Sequence, residues 1–178
     1  KTIVFDDLIR GVLEFDTKLI GDIAIAKEIE TPLYNFAVVI DDYTMKISHV
    51  IRGEDHISNT PKQLALIEAL NFPKPKYAHL PLILGPDKTK LSKRHGATAV
   101  REYREEGYLP EALLNFIALL GWNPKTTQEI FTKEELIKNF SLKGVSKSGA
   151  IFNIEKLNWF NGFYIRKKAL SDLTLLCI

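Results

Sequence analysis

The sequence predicts an α/β fold in which a strand–helix–strand unit follows a β segment and precedes a helical module. Residues 2–29 are rich in β-branched and apolar side chains. Residues 46–84 place a helical pattern between two apolar runs, which is typical of a βαβ unit with a parallel sheet. After Gly96, apolar residues recur at helical spacing. With 178 residues and 46% hydrophobic content, the chain can bury one large core or two small ones.

The first segment is predicted to be β structure in the stretches TIVFDDLIRGVLEF and GDIAIAKEI. Gly11 and Gly21 interrupt these stretches, and Pro32 closes the segment. The next stretch, LYNFAVVIDDY, is ambiguous. Its apolar run over residues 36–40 suits a buried strand or a buried helical turn, and periodicity does not separate the two.

The βαβ unit is predicted from its two strands and its helix start. KISHVIRGED forms a strand that ends at Gly53, and YAHLPLIL forms the second strand. Between them, Thr60 is predicted to be the N-cap of a helix with Pro61 at its first position. The helical module follows, with a capping box at Thr132 and Glu135. Its predicted helices are TAVREYREEG, LPEALLNFIALLG, TKEELIKNF, NIEKLNWFNG and SDLTLL.

Composition excludes several classes of site. The net charge is only +2, so a site for a polyanion has to be local. The single cysteine, Cys177, rules out an internal disulfide and a cysteine zinc cluster, and the four histidines are not spaced as metal ligands. No apolar run approaches the ~20 residues of a membrane span.

A basic loop, PDKTKLSKRHG, follows the second predicted strand and holds three lysines and Arg94 against a single acid, Asp87. Ligands of parallel α/β sheets bind beyond the carboxyl ends of strands, and the first predicted strand also ends on charged residues, RGED. Ammonium groups in such a loop suit a polyphosphate, and Ser92 adds a hydroxyl donor. The alternative is a solvated surface turn, which is the commoner structure for so short a run of basic residues.

Two further residues have open alternatives. Arg52 is predicted either to clamp a carboxylate in bidentate fashion or to form a strand-end ion pair with Glu54 or Asp55. Tyr34 is either a core residue or a ligand-binding hydroxyl.

KLSKR after LILGPD resembles the KMSKS signature of class I aminoacyl-tRNA synthetases. Four longer blocks resemble bacterial or organellar glutamyl-tRNA synthetases over nearly all of the chain, and the last ten residues match least. These blocks are YNFAVVIDDYTMKISHVIRGEDHISNTPKQ, YAHLPLILGPDKTKLSKRHGA, GYLPEALLNFIALLGW and VSKSGAIFN.

The resemblance implies a glutamate–tRNA ligase, which forms glutamyl-adenylate from glutamate and ATP and transfers the glutamyl group to the 3′ end of tRNA(Glu). It implies Mg²⁺ that arrives with ATP, no protein-bound metal or zinc, no membrane partner, a monomeric full-length enzyme, and a cytoplasmic or organellar-matrix location. Two alternatives remain: a glutaminyl-tRNA synthetase and a non-catalytic tRNA-binding module.

The resemblance also assigns site residues. Lys93 is expected to contact the ATP phosphates and stabilise the departing pyrophosphate, with Lys90 in support. The ATP-binding residues implied are Asp55, Ile83, Lys90, Leu91, Ser92, Lys93 and Arg94. The glutamate-binding residues implied are Tyr34, Val38 and Arg52, although some relatives have asparagine in place of Val38.

The fold implied is the C-terminal half of a Rossmann-type nucleotide-binding catalytic domain followed by an all-α stem-contact module, with LYNFAVVIDD helical. The implied domains are the tail of an acceptor-binding insertion (1–31), the second half of the catalytic domain (32–90), the stem-contact domain (91–170) and the start of an anticodon-binding region (171–178). Basic residues of the helical module are candidates for tRNA phosphate contact, or else form a solvated face: Lys143, Lys147, Arg166, Lys167 and Lys168.

One family element is missing from the sequence. The His-Ile-Gly-His-like signature belongs to the first half of the catalytic domain, and no such element occurs in these 178 residues. The chain is therefore expected to be part of a longer protein and not to activate glutamate alone.

Overall fold

The computed structural model describes residues 2–96 and 99–176, so Cys177 lies outside the described residues. The chain divides into two compact units, Lys1–Leu80 and Pro81–Ile178, and each is described here by itself. The strands are β1 (Thr2–Asp7), β2 (Gly11–Asp16), β3 (Ala26–Glu28), β4 (Thr31–Pro32), β5 (His49–Gly53), β6 (Lys76–Leu80), β7 (Ile83–Leu84) and β8 (Ala150–Ile151). The α-helices are α1 (Thr17–Ile20), α2 (Tyr34–Thr44), α3 (Thr60–Ala69), α4 (Val100–Glu105), α5 (Pro110–Leu119), α6 (Lys133–Asn139), α7 (Ile154–Lys167) and α8 (Leu170–Leu176).

The first unit contains a mixed four-stranded sheet in the order β2-β1-β6-β5. β5 and β6 are parallel and in register from His49↔Lys76 to Gly53↔Leu80, and α3 connects them. The predicted βαβ unit is therefore confirmed. β1 pairs antiparallel with β2 and meets β6 in parallel at Asp7↔Tyr77. Residues 2–16 are thus part of the same sheet as β5 and β6.

Alternation along β1 explains how it covers the core. Ile3 and Phe5 point inward with Leu64 and Tyr77, while the intervening residues are exposed. Asp7 continues the inward face, although it is an ionisable residue, and it is buried at 1% exposure. An inward carboxylate on an apolar face needs hydrogen-bonding partners, and those partners belong to the site described below.

Three predictions for the first unit are corrected. GDIAIAKEI forms a strand only at β3, because residues 21–25 have no regular structure. YAHLPLIL is not one strand: β6 ends at Leu80, and β7 is a separate strand paired with β8. Pro81, which lacks an amide donor, stands at the break. Thr60 is the first residue of α3 and Asn59 precedes it as the N-cap, so Thr60 is not the cap.

The resemblance correctly implied a helix for the ambiguous stretch, which is α2. The individual helices predicted after Gly96 are present in the second unit, where α5 and α7 share a core that includes Leu113, Phe116, Leu157 and Phe160. The capping box at α6 is also confirmed: the Glu135 amide donates to Thr132 Oγ1 and the Thr132 amide donates to Glu135.

The second unit is not entirely helical. β7 and β8 form a parallel two-stranded sheet in the register Ile83↔Ala150 and Leu84↔Ile151. No helix in the described part of the chain combines the length and the apolar character of a membrane-spanning segment. The implied domain boundaries after residues 31, 90 and 170 stay predictions.

Candidate active site

Arg52 lies near the carboxyl end of β5 and is held by neutral groups from two neighbouring elements. Its Nε–H donates to Nε2 of His79 on β6 at 3.2 Å. Its Nη2 donates to Thr60 Oγ1 and to Gln63 Oε1, each at 2.9 Å, on α3. Thr60, Gln63 and His79 are each at most 2% exposed. A guanidinium bonded to an imidazole, a hydroxyl and an amide keeps a full positive charge available to an anion.

The predicted ion pair between Arg52 and Glu54 is absent from the described residues, because Glu54 pairs with Arg10 Nη2 at 2.5 Å. The bidentate clamp stays a prediction. Nε and Nη2 of Arg52 are both used by protein groups, and no described residue bonds Nη1. A ligand carboxylate would therefore meet the two N–H groups of Nη1.

Tyr34 and Val38 lie one turn apart on α2 and so share a face of that helix. The Tyr34 hydroxyl is 3.4 Å from Nδ1 of His56, whose carbonyl accepts from Arg52 Nη2, also at 3.4 Å. Tyr34 is about half exposed and Val38 is partly buried. The structure thus brings two of the implied glutamate-binding residues, Tyr34 and Arg52, within 3.4 Å of the same residue, His56.

A second link joins α2 to the arginine. Gln63 Oε1 accepts from Arg52, and Gln63 Nε2 donates to Asn35 Oδ1 at 3.0 Å. Sequence reasoning missed Gln63, Thr60 and His56. A usable indication was present, because Thr60 and Gln63 fall on the face of α3 that also carries Leu64 and Ile67. Polar side chains on a core-facing stripe require partners.

Asp55 follows β5 in a 3₁₀ helix, Glu54–Asn59, and is exposed. Its carboxylate lies over Gly53: a methyl group added at Gly53 would meet Asp55 Oδ1 at 2.5 Å. Glycine at this position therefore lets the Asp55 carboxylate fold back over the end of the strand. Asp55 is placed in the first unit with Arg52, whereas the lysine loop belongs to the second unit.

The lysine loop begins as a hairpin. The Leu91 amide donates to the Ile83 carbonyl, and the Gly85 amide donates to the Thr89 carbonyl, each at 2.8 Å. Leu84 and Lys90 form an antiparallel bridge. Ile83 and Leu91 are thereby adjacent. Leu91 also lines a cavity of about 450 Å³ whose other walls include Tyr103 and Phe152.

Asp87 organises the tip of the loop. Its Oδ1 accepts from the Thr89 amide at 3.0 Å and the Thr89 hydroxyl at 2.7 Å. Its Oδ2 is 3.3 Å from Arg94 Nη2, and Oδ1 is 3.2 Å from His95 Nε2. The hydrogen bonds from Thr89, together with a smaller contribution from His95, lower the pKa of Asp87 from 3.8 to about 2.

His95 closes the loop from the other side. The Ser92 amide donates to His95 Nδ1 at 3.1 Å, which leaves the ring proton on Nε2, facing Asp87. A methyl group added at Gly85 would meet the His95 ring at 2.7 Å, so glycine admits the imidazole there. Asp87 and His95, which sequence reasoning left without a role, therefore hold the loop.

The basic residues of the loop have different environments. Arg94 is engaged by Asp87 and by Thr89 Oγ1, the latter at 2.6 Å. Lys93 is exposed at the start of a single 3₁₀ turn, Lys93–His95, and no described carboxylate pairs with it. Lys90 is also exposed. Arg94 thus has hydrogen-bonding partners within the loop, whereas no described carboxylate pairs with the Lys93 ammonium.

Replacing Asp87 with asparagine is expected to loosen this hairpin. The amide keeps an acceptor for Thr89 but loses the charge that holds Arg94 and His95. Amide hydrogen exchange at Gly85 and Leu91 should accelerate roughly three- to tenfold, as for the loss of one ordinary hydrogen bond. Asp22→Asn, at an exposed aspartate of the first unit, is the control.

The pH chosen for this measurement follows from the lowered pKa of Asp87. A lowered pKa in the folded state stabilises the protein above the ordinary value of 3.8, and this contribution is lost as pH falls through about 2. The Asp87 contribution is therefore complete at neutral pH. Unchanged exchange of both amides at pH 7 would contradict the role of Asp87.

The basic residues of the helical module are partly used within the protein. Lys168 Nζ bonds Glu111 Oε1 at 2.7 Å, and Lys167 Nζ lies 4.6 Å from the centre of the Phe163 ring. Arg166 is near the end of α7, and Lys143 lies in a 3₁₀ turn, Leu142–Gly144. In residues 2–96 and 99–176, no three His, Cys, Asp or Glu side chains are grouped to hold a metal ion.

Known proteins resemble this chain over almost its whole length. It is 60% identical to the glutamate–tRNA ligase of Carboxydothermus hydrogenoformans over 178 residues, which is all of this chain and 37% of that protein. It is 59% identical to the glutamate–tRNA ligase of Aquifex aeolicus, over 98% of this chain and 37% of that protein. The chain therefore spans a little over a third of the length of these curated relatives.

Solved structures agree with the fold. A glutamate–tRNA ligase from Elizabethkingia meningosepticum, in complex with its amino acid, matches with a TM-score of 0.87 and 41% identity, over 94% of this chain and 37% of that one. The glutamate–tRNA synthetase of Elizabethkingia anophelis matches with a TM-score of 0.90 and 40% identity, over 98% of this chain and 39% of that one.

The family comparison covers most of the chain. The model of the class I tRNA synthetases (E and Q), catalytic domain, matches residues 1–159. That span includes the mixed sheet, the Arg52 environment and the whole lysine loop. The chain therefore belongs to the class I tRNA synthetases (E and Q), as part of their catalytic domain.

Proposed function

We propose that the full-length protein containing this chain ligates glutamate to tRNA(Glu) with ATP, through glutamyl-adenylate. The observation that carries the choice of glutamate is the Arg52 guanidinium, which is partly buried and bonded to neutral groups. Such a cation favours a carboxylate over an amide in the same place, because only the carboxylate neutralises the charge. Tyr34 and Val38, on the same face of α2, complete the proposed glutamate site.

The lysine loop is proposed to bind ATP. A glutamate carboxylate oxygen attacks the α-phosphorus and the bond to the pyrophosphate breaks, so negative charge builds up on the departing oxygens. Lys93, aided by Lys90, stabilises that charge. Mg²⁺ is proposed to arrive with ATP and to offset phosphate charge. The further ATP-binding residues proposed are Asp55, Ile83, Leu91, Ser92 and Arg94.

The finer organisation is also a proposal. We infer that residues 32–90 are the second half of a Rossmann-type domain, that 91–170 are a stem-contact module, and that 1–31 and 171–178 belong to acceptor-binding and anticodon-binding regions. The basic residues proposed to contact tRNA phosphates are Lys143, Lys147, Arg166, Lys167 and Lys168. A cytoplasmic or organellar-matrix monomer is the proposed state of the full-length protein.

The test is ATP–pyrophosphate exchange by the full-length protein in the presence of tRNA, with glutamate or glutamine as the amino acid. Exchange with glutamate at least about 10²-fold more efficient than with glutamine supports the proposal, since a buried charge discriminates strongly between the two. Preference for glutamine would instead identify a glutaminyl enzyme. Tight tRNA binding without exchange would identify a non-catalytic binding module.

A further inference from the structure

A buried hydrogen-bonded pair, Asp7 and His79, adjoins Arg52 and has no role in the chemistry proposed above. Asp7 on β1 and His79 on β6 are 1% and 0% exposed, and Asp7 Oδ2 is 2.6 Å from His79 Nδ1. The two residues are 72 positions apart in the chain. Burial of two ionisable groups costs free energy unless their donors and acceptors are all hydrogen-bonded. The partners of Asp7 and His79 therefore indicate the role of the pair.

Asp7 is held as an ionised acceptor. Its carboxylate accepts the backbone amides of Ile9, Arg10 and His79 at 2.9–3.2 Å, in addition to the His79 ring. Burial raises the pKa of Asp7, but these hydrogen bonds outweigh burial and hold it below its usual value. An ionised carboxylate only accepts hydrogen bonds. The ring nitrogen of His79 that faces it, Nδ1, must therefore carry the proton.

The other ring nitrogen of His79 is then fixed as an acceptor. Burial lowers the pKa of His79 more strongly than Asp7 raises it, so the imidazole is neutral. With the proton on Nδ1, the lone pair of Nε2 accepts from Arg52 Nε at 3.2 Å. The Thr60 hydroxyl also lies 3.2 Å from Nε2. Because an arginine carries only donors, the opposite tautomer would set a donor against a donor.

The contacts to Arg52 leave one direction for its remaining donors. Nε is held by His79, and Nη2 donates to Thr60 and Gln63 at 2.9 Å, with the His56 carbonyl farther away at 3.4 Å. Three fixed contacts on one planar group determine the orientation of the whole guanidinium. The direction of Nη1, which no described residue bonds, is therefore set by His79, Thr60 and Gln63.

We propose that His79, with its tautomer set by Asp7, is a positioning residue that aims the Arg52 guanidinium at the carboxylate of the substrate. This inference rests on the proposed function, because it names glutamate as the ligand of Arg52. It adds that binding glutamate depends on a chain of contacts, Asp7–His79–Arg52, that begins on β1 and crosses the sheet.

Two substitutions of His79 separate positioning from simple core filling. Glutamine places an amide oxygen near the position of Nε2 and can accept from Arg52, whereas asparagine reaches only the position of Nδ1 and can bond Asp7 alone. In the full-length protein, His79→Asn should raise the KM for glutamate about tenfold, the cost of one hydrogen bond to a charged group. His79→Gln should stay within about threefold of wild type.

The KM for ATP and the kcat at saturating glutamate should stay within about twofold in both variants, since neither contact involves the lysine loop. If the two variants raise the glutamate KM equally, or if the ATP KM rises in parallel, His79 has only a structural role and the proposal is overturned. If both variants lose thermal stability equally and their KM values for glutamate do not differ, His79 again has only a structural role.

A spectroscopic measurement on the wild-type protein tests the contact between His79 Nε2 and Arg52 Nε even where a variant fails to fold. In wild-type protein labelled with ¹⁵N-histidine and ¹⁵N-arginine, NMR should find His79 protonated at Nδ1 and unprotonated at Nε2. It should also find a slowly exchanging Arg52 Nε–H. A proton on Nε2 of His79 would overturn the proposal.

Asp7→Asn tests the start of the chain of contacts. The asparagine amide can donate toward Nδ1, which favours the opposite tautomer and breaks the bond to Arg52. The glutamate KM should rise about as much as in His79→Asn. Wild-type protein that shows no exchange with glutamate would refute the proposed function, whereas the NMR result would still decide whether His79 orients Arg52.

Discussion

Alanine at Lys93 is expected to slow glutamate activation by the full-length protein about 10²–10³-fold, which corresponds to a loss of ~2.7–4 kcal/mol of transition-state stabilisation. Lys93 is exposed and no described carboxylate pairs with it, so its ammonium can follow the charge that develops on the departing pyrophosphate. The loss should fall on kcat, measured by single-turnover formation of the adenylate, with a smaller change in the KM for ATP.

The control is a neighbouring lysine of the same loop. Lys88 has a left-handed backbone, with φ of 61°, so asparagine is the suitable replacement because it tolerates that conformation. Lys88→Asn removes the same charge from the loop and should leave activation within about twofold. Equal losses in Lys93→Ala and Lys88→Asn would mean that the loop acts only through its overall charge.

Alanine at Arg52 is expected to raise the KM for glutamate by roughly 10²-fold or more, the usual cost of deleting one partner of a partly buried charge pair. The KM for ATP should stay close to that of wild type, because Arg52 contacts groups of the first unit only among the residues described. Steady-state ATP–pyrophosphate exchange, measured at varied glutamate and at varied ATP, gives the two KM values separately.

Arg52→Ala also removes the donors that satisfy His79, Thr60 and Gln63. Thermal unfolding should therefore be measured beside the kinetics, since unsatisfied buried acceptors destabilise a protein. Arg101→Ala, at an exposed arginine that pairs with Glu105 one turn away, is the control for lost charge and should change neither KM. Glutamate binding by Arg52→Ala with an unchanged KM would contradict the assignment.

Local patterns predicted most of the regular structure. The capping box at Thr132 and Glu135 formed as predicted, because its two hydrogen bonds lie within one helical turn. The βαβ unit was equally predictable, since its two strands and its helix each carry their own apolar pattern. The apolar run over residues 36–40 was not predictable from its own periodicity, and only the resemblance implied that it belongs to α2.

The lysine loop was recognisable from the sequence, but its internal support was not. Asp87 looked like the one acid among many bases, and in the structure it joins Thr89, Arg94 and His95. Which of the basic residues is held and which is available depends on side-chain directions. Those directions depend on the hairpin between Ile83 and Leu91, which sequence spacing did not predict.

By itself the sequence determined the βαβ unit, the capping box, the basic loop and the family, because each depends on residues close together in the chain. Only the tertiary structure decided the surroundings of Arg52. Threonine is a residue type favoured at helix N-caps. The Thr60 hydroxyl nevertheless accepts a hydrogen bond from Arg52, because β5 and the start of α3 meet there. Asp7 and His79 come together from 72 residues apart, because β1 pairs in parallel with β6. Contacts between strands that are distant in sequence depend on which strands pair, and the residues of one strand do not specify its partner.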